Sequence, residues 1–219
     1  MFEPFPKMGR LTRDCVVTEK IDGTNAQVHI VRQEEAMGLE LAEFAIAQND
    51  ELCLAILAGS RTRYLTTGRD GSHGDNFGFA AWVKAHADEL WALGEGRHYG
   101  EWWGSGIQRG YGLTEKRFSL FNVARWADER DREKFPTDRP ACCGVVPVLY
   151  RGLFSPNVAE GMIQRLTHEG SLAAPGFMKP EGIVIFHTAV GTMFKKTIEK
   201  DEEGKEQKAR RLAHETATV

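Results

Sequence analysis

Short runs of strand-forming residues, some alternating and some apolar throughout, are scattered along this chain. The segments near 26–32, 52–58, 97–102, 117–124, 145–150, 182–187 and 192–198 read as strands, each bounded by turn residues. Two stretches have helical spacing instead. In DNFGFAAWVKAHADELWALGEG, Phe79, Trp82, Val83, His86, Leu90 and Leu93 fall on one face; Asp75 or Asn76 caps the start, and Gly94 or Gly96 stops it. His86 lies on that apolar stripe and reads as a packed residue rather than a ligand. In SPNVAEGMIQRLTHEG, Ser155 suits the cap and Pro156 the first turn. Val158, Met162, Ile163 and Leu166 form the apolar face, and Gly170 ends the helix. The strands are scattered among the helices rather than alternating regularly with them, which predicts an α+β fold of mainly antiparallel sheets with flanking helices.

Near the start, VVTEKIDGTNAQVHI reads as a β-hairpin. Val16, Thr18, Val28 and Ile30 are strand formers on either side of Asp22-Gly23, a pair suited to the positive φ angles of a type I′ turn. The polar content of that turn is high, with Glu19, Lys20, Asp22 and Asn25 inside seven residues. A hairpin alone does not require it.

With 219 residues, the chain suits one large domain, or one domain and a small appendage. Nothing marks a boundary before residue 199, so a domain at 1–199 and a charged tail at 200–219 are expected, the tail being nearly free of large apolar residues. A formal charge of −3 excludes a protein that coats nucleic acid by bulk electrostatics, and any such contact must be local. No apolar run reaches the roughly 18 residues of a membrane helix, and MFEPFPKMGR lacks the apolar core of a signal peptide. A soluble, cytoplasmic protein with no membrane partner is expected. The cysteines at 15, 53, 142 and 143 form no Cys-x-x-Cys pair, so incidental thiols are expected rather than a zinc ribbon or a disulfide framework.

Placing the polar residues on the elements changes the picture. Arg61 and Arg63 follow one apolar run, Glu101 ends a strand, Glu181 opens another, and Lys195 and Lys196 sit in a third, with Phe118 and Phe121 between. Charged groups of both signs arriving from several strands, with aromatics among them, are what a nucleotide pocket on a sheet needs. A Walker P-loop matches nowhere, and the glycines of GSGIQRGYG lack the spacing of a dinucleotide fingerprint, so that segment reads as a flexible loop.

In order along the chain, KIDGTN, SRTR, GEWWGSGIQ, FSLFNV, EGIVIF and FKK resemble motifs I, Ia, III, IIIa, IV and V of the covalent nucleotidyltransferase superfamily: ATP-dependent DNA ligases, RNA ligases and mRNA capping enzymes. Asn25 at the end of motif I, and GSGIQ after Glu101, resemble the RNA ligase 2 branch. The adjacent Lys195 and Lys196 stand where the family has Lys-x-Lys, which leaves open which of them faces phosphate.

The resemblance implies a nucleotidyltransferase (ATP-grasp-like) domain and an ATP-dependent RNA ligase acting in RNA repair. Lys20 would attack the α-phosphate of ATP and hold AMP as a lysyl-AMP phosphoramidate; AMP would then pass to a 5′-phosphate end, and a 3′-hydroxyl would displace it. An ordinary lysine ammonium is no nucleophile at neutral pH. Lys195, Lys196 and bound Mg²⁺ or Mn²⁺ would disfavour a further positive charge beside them and stabilise charge on the phosphate. Glu101 would bind the ribose hydroxyls, Phe121 or Phe118 would stack on adenine, Arg61 would meet sugar or phosphate, and Glu181 would help hold the metal. Asp22 and Asn25 would shape the loop and contact phosphate or metal-bound water, and Glu19 would meet the adenine edge. The partners implied are nucleic-acid ends, RNA rather than DNA. A partner protein is expected to supply a nucleic-acid-binding domain, since little chain follows motif V.

Overall fold

The computed structural model describes residues 3, 5, 8–37, 44–48, 52–67, 74–127 and 139–199; the charged tail read from the sequence lies outside them. The strands are β1 (Asp14–Lys20), β2 (Thr24–Arg32), β3 (Ala45–Gln48), β4 (Cys53–Ser60), β5 (Gly96–Gly104), β6 (Lys116–Leu120), β7 (Cys143–Val145), β8 (Val148–Leu153), β9 (Gly182–His187) and β10 (Thr192–Thr197). The helices are α1 (Gln33–Met37), α2 (Phe79–Ala85), α3 (Ala87–Leu90), α4 (Val123–Trp126) and α5 (Pro156–Glu169). The chain divides into two compact units. One comprises Met1–Lys20, Leu149–Gly170 and Met178–Val219; the other comprises Ile21–Val148 and Ser171–Phe177.

The first unit is built on a sheet of order β10-β9-β1-β8. Both β1 and β10 run antiparallel to β9. Directly paired residues point to the same face, so Cys15, Val17 and Glu19 lie with His187, Ile185 and Ile183, and all six are buried. Helix α5 packs against β9 and β10 and buries Ala159, Ile163 and Leu166. Its ends are as the spacing predicts: Ser155 Oγ accepts from the Val158 amide at 3.3 Å, Pro156 opens the first turn, and Gly170 stops it at φ 82°.

The second unit holds a sheet of order β3-β4-β2-β5-β6-β7, antiparallel except where β6 meets β7. Strand β2 keeps the alternation seen in the sequence. Ala26, Val28 and Ile30 enter a core with Phe79, Val83, Leu90, Trp102 and Phe118, while Asn25, Gln27 and His29 take the opposite face. Strand β4 is apolar on both sides, because Ala55 and Leu57 join a smaller cluster with Ala36 of α1.

Four expectations need correction. The hairpin does not form: β1 and β2 belong to different sheets, and neither Asp22 nor Gly23 has a positive φ. The strand expected at 145–150 is two, β7 and β8, again in different sheets. The strand expected at 117–124 stops at Leu120, where α4 follows with Asn122 as its cap. The helix expected over 75–94 is broken into α2, α3 and a 3-10 turn, Trp91–Leu93. Its break falls at His86, whose backbone leaves the helical region (φ −113°, ψ 19°) and whose Nδ1 sits 2.9 Å from the Trp82 carbonyl. That helix starts after three left-handed residues, Asn76, Phe77 and Gly78, although Asp75 still contributes, its Oδ1 accepting from the Ala81 amide at 3.0 Å. Short β3 carries too few residues for its alternation to stand out in the sequence. None of the helices among the described residues is long and apolar enough to cross a membrane.

Candidate functional site

The sequence-predicted residues divide between the two units. In the first, β1 ends on Lys20, and its Nζ donates to Glu181 Oε2 at 2.5 Å. Both side chains are partly shielded, 24% and 18% exposed, so the pair is neither a solvated surface contact nor a sealed core ion pair. Glu181 precedes β9, and its carbonyl accepts from the Ile198 amide just beyond β10, which fixes its backbone. Gly182 is required here: a Cβ would run into the Lys196 carbonyl oxygen, and φ is 158°. The acid is thereby presented at a point where β9 and β10 approach closely.

Register separates the two adjacent lysines. Thr18 pairs with Val184 and Val184 with Lys195, while Lys20 pairs with Gly182. Lys195 therefore shares the face of Lys20, at about 12 Å between Cα atoms from strand spacing and rise. Lys196 pairs with Ile183, opposite Glu19, and takes the other face, where its Nζ lies 3.9 Å from Glu160 of α5. Glu19 is 1% exposed on that same α5-facing side. Its side chain and that of Lys20 leave β1 in opposite directions.

In the second unit, a cross-strand row runs Asn25, Glu101, Ser119, Gly144. Arg61 follows the last residue of β4, Ser60, which pairs with Ala26, so it lies at the Asn25 end of that row. Phe121 follows β6, its amide donating to the Tyr99 carbonyl at 2.9 Å, and in the alternation it falls with Ser119 and Glu101. Phe118 is on the other side. It is fully buried, with ring centroids 5.2 Å from Phe79 and 5.6 Å from Trp82, and cannot stack on a ligand without dismantling that cluster. Of the two aromatics open in the sequence reading, only Phe121 faces the row.

Asp22 and Gly23, which link β1 to β2, are held by β5 and the segment after it. Gly23 donates its amide to Glu101 Oε1 at 3.1 Å, and a Cβ on it would meet the Trp102 carbonyl at 2.5 Å and Trp103 Cβ at 2.7 Å. Glycine is needed for close approach, not for its φ. The Asp22 amide donates to Tyr111 Oη at 2.8 Å, and Arg109 Nε donates to Asp22 Oδ2 at 3.0 Å. The segment GSGIQRGYG is thus no loose loop. It winds through successive turns, with Ile107 and Tyr111 buried and Gln108 and Tyr111 at positive φ.

On the polar face of β2, His29 Nδ1 lies 2.7 Å from Tyr64 Oη, which also accepts from Arg97. Burial, then the positive charge of Arg97 and the neighbouring His98, push the His29 imidazole down to about 4. It is a neutral hydrogen-bonding group at pH 7.

A model of the RNA ligase family matches residues 13–197, which takes in β1 through β10. The chain belongs to the RNA ligase family. Among solved structures, a mutant Naegleria gruberi RNA ligase with ATP and Mn is 20% identical, with TM-score 0.50 over 87% of this chain and 52% of that one. An apo mutant of the Naegleria gruberi RNA ligase is 21% identical, with TM-score 0.49 over 84% of this chain and 49% of that one. At such identities the likeness is one of fold, and this RNA ligase family member spans about half the length of the structures it matches. No curated protein matches the chain.

Within this RNA ligase fold, the sequence reading missed Arg109, Tyr111 and Ser119. Local pattern carries no signal for the first two, because the burial of Ile107 and Tyr111 that fixes their segment is set by residues distant in the chain. Ser119 is equally unmarked, because its place in the Glu101 row follows only from register.

Proposed function

We propose that this chain is the adenylyl-transferring part of an ATP-dependent RNA ligase, with Lys20 as its nucleophile. The observation that carries the reading is the Lys20–Glu181 pair at 2.5 Å, in a chain whose family model spans both residues. Lys20 must first give up one proton to become the neutral amine; its Nζ then attacks the α-phosphorus of ATP, the bond to the bridging oxygen breaks, pyrophosphate leaves, and a second proton leaves the nitrogen as the N–P bond forms. Glu181 already accepts a hydrogen bond from that nitrogen and stands where the proton acceptor must be.

Lys195, on the same face as Lys20, is the motif V lysine that meets phosphate, and Lys196 serves α5 through Glu160. In the other unit, Glu101 takes the ribose hydroxyls with Gly23 steadying its carboxylate, Phe121 stacks on adenine, Arg61 approaches sugar or phosphate, and Asn25 approaches phosphate or metal-bound water. A divalent cation, Mg²⁺ or Mn²⁺, fits Glu181: its donors are hard oxygens. Among the described residues no group of three or more His, Cys, Asp or Glu offers an all-protein cage, so the remaining ligands would be phosphate oxygens and water. When bound, the cation supplies charge stabilisation at the phosphates. The acceptor is then a 5′-phosphate end of RNA.

Purified protein incubated with Mg²⁺ and ATP labelled at the α-phosphate tests this. Label that survives denaturation, is reversed by pyrophosphate, and disappears in Lys20→Ala is the expected result, with intact mass reporting any AMP already in place. A wild-type protein that neither takes up label nor carries AMP sinks the reading.

A further inference from the structure

The strain in the 104–112 turn is concentrated around one side chain. Gln108 at φ 45° and Tyr111 at φ 53° are non-glycine residues in the left-handed region, and Arg109 and Gly110 lie between them. Burial holds the turn in place. Ile107 is fully enclosed, and Tyr111 packs edge-on to Trp103 at 5.0 Å and against Phe177 at 4.6 Å. This arrangement presents two polar groups to one residue: Arg109 Nε to the Asp22 carboxylate at 3.0 Å, and Tyr111 Oη to the Asp22 amide at 2.8 Å. Side chain and main chain of Asp22 are both fixed from the same turn. The pair is partly shielded, 27% and 26% exposed, and so is held more firmly than a surface ion pair.

We infer that Arg109 is a positioning residue for Asp22, with Tyr111 as its main-chain counterpart. Resting on the function proposed above, the inference assigns Arg109 no contact with ATP. It acts by setting where the Asp22 carboxylate points, and hence the path of the three-residue link that continues from Lys20. An arginine suits the task because its planar guanidinium fixes direction, whereas a lysine ammonium supplies only charge. Removing it leaves Asp22 tethered by its amide to Tyr111 and its carboxylate without the guanidinium that aims it.

Single-turnover formation of lysyl-AMP at varied ATP concentration reads the effect directly. In Arg109→Ala the saturating rate should fall about tenfold or more, the order expected when a reacting group is misplaced by an ångström or less. The apparent KM for ATP should stay within about threefold on the same grounds, and Arg109→Lys should recover part of the rate. A saturating rate within fivefold of wild type overturns the inference, as does a loss that appears equally in KM or follows a fall in the melting temperature. If Arg109→Ala does not fold, Arg109→Gln is held to the same fivefold criterion. Failure of the wild type to form any adduct overturns the proposed function instead, so the two failures are told apart.

Discussion

In a strand, neighbouring side chains leave opposite faces, and at Lys195 and Lys196 that rule separates two chemically identical groups. Lys195 shares its face with Lys20, and Lys196 turns to Glu160. Their substitutions should therefore differ. Lys195→Ala should slow lysyl-AMP formation by about two orders of magnitude, as loss of one preorganised charge donor does. Lys196→Ala should keep the rate within about threefold and cost less than about 1 kcal/mol, the worth of an exposed ion pair. Rapid-quench measurement of labelled adduct, with thermal melts alongside, checks both; equal effects would show that the β10 register does not govern the chemistry. Glycine makes the same point with opposite signs of evidence. Gly23 suggests a turn by its partner Asp22 but is needed because β5 lies against it, a demand that no local pattern announces.

Strand β6 shows at the level of an element how one alternation sends one aromatic into the core and the next to the face proposed above to meet the nucleotide. Phe118 faces the aromatic core, and Phe121, past the strand end, falls with Glu101. Phe118→Ala should destabilise the fold by about 3–5 kcal/mol through the cavity it leaves. Phe121→Leu should leave the melting temperature nearly unchanged and raise the apparent KM for ATP about tenfold, as loss of one stacking aromatic does. Melts and adenylylation kinetics on both variants would reveal a reversed assignment.

The sequence made much of this legible where periodicity was long and caps were clear. The limits of α5 were readable from Ser155, Pro156 and Gly170, and the alternation of β2 from Ala26, Val28 and Ile30. The order of the polar motifs was equally plain. What stayed hidden depended on partners distant in the chain. The Asp22-Gly23 link changes sheets instead of reversing within one, and the helical stripe from Phe79 to Leu93 gives no warning that His86 breaks it. The docking of Ile107 and Tyr111, likewise, is set by surfaces that local pattern does not see.

For the molecule as a whole, two buried imidazoles set an acid limit. The His29 imidazole titrates near 4 in the folded chain, against 6.5 for its ordinary value, and burial lowers His98 as well. Unfolded chain therefore binds a proton at His29 that folded chain refuses between these two values. Stability is fully present above pH 6.5, falls as the pH drops towards 4, and by then has lost on the order of 3 kcal/mol from this residue. Urea unfolding across that range should show the slope, and His29→Gln, which keeps a polar side chain but cannot titrate, should flatten it; an unchanged slope would move the cause elsewhere. The long sequence separation of the pair proposed to react has its own outcome. Lys20 and Glu181 lie 161 residues apart, and β1 pairs with β9 across the span from which most of the other unit is made. Closing so large a loop is entropically slow, while the β2, β4 and β5 pairings can form as soon as those strands leave the ribosome. The amine thus waits without its carboxylate until β9 has been synthesised, and nascent chains should be inert towards ATP long after their larger sheet has folded.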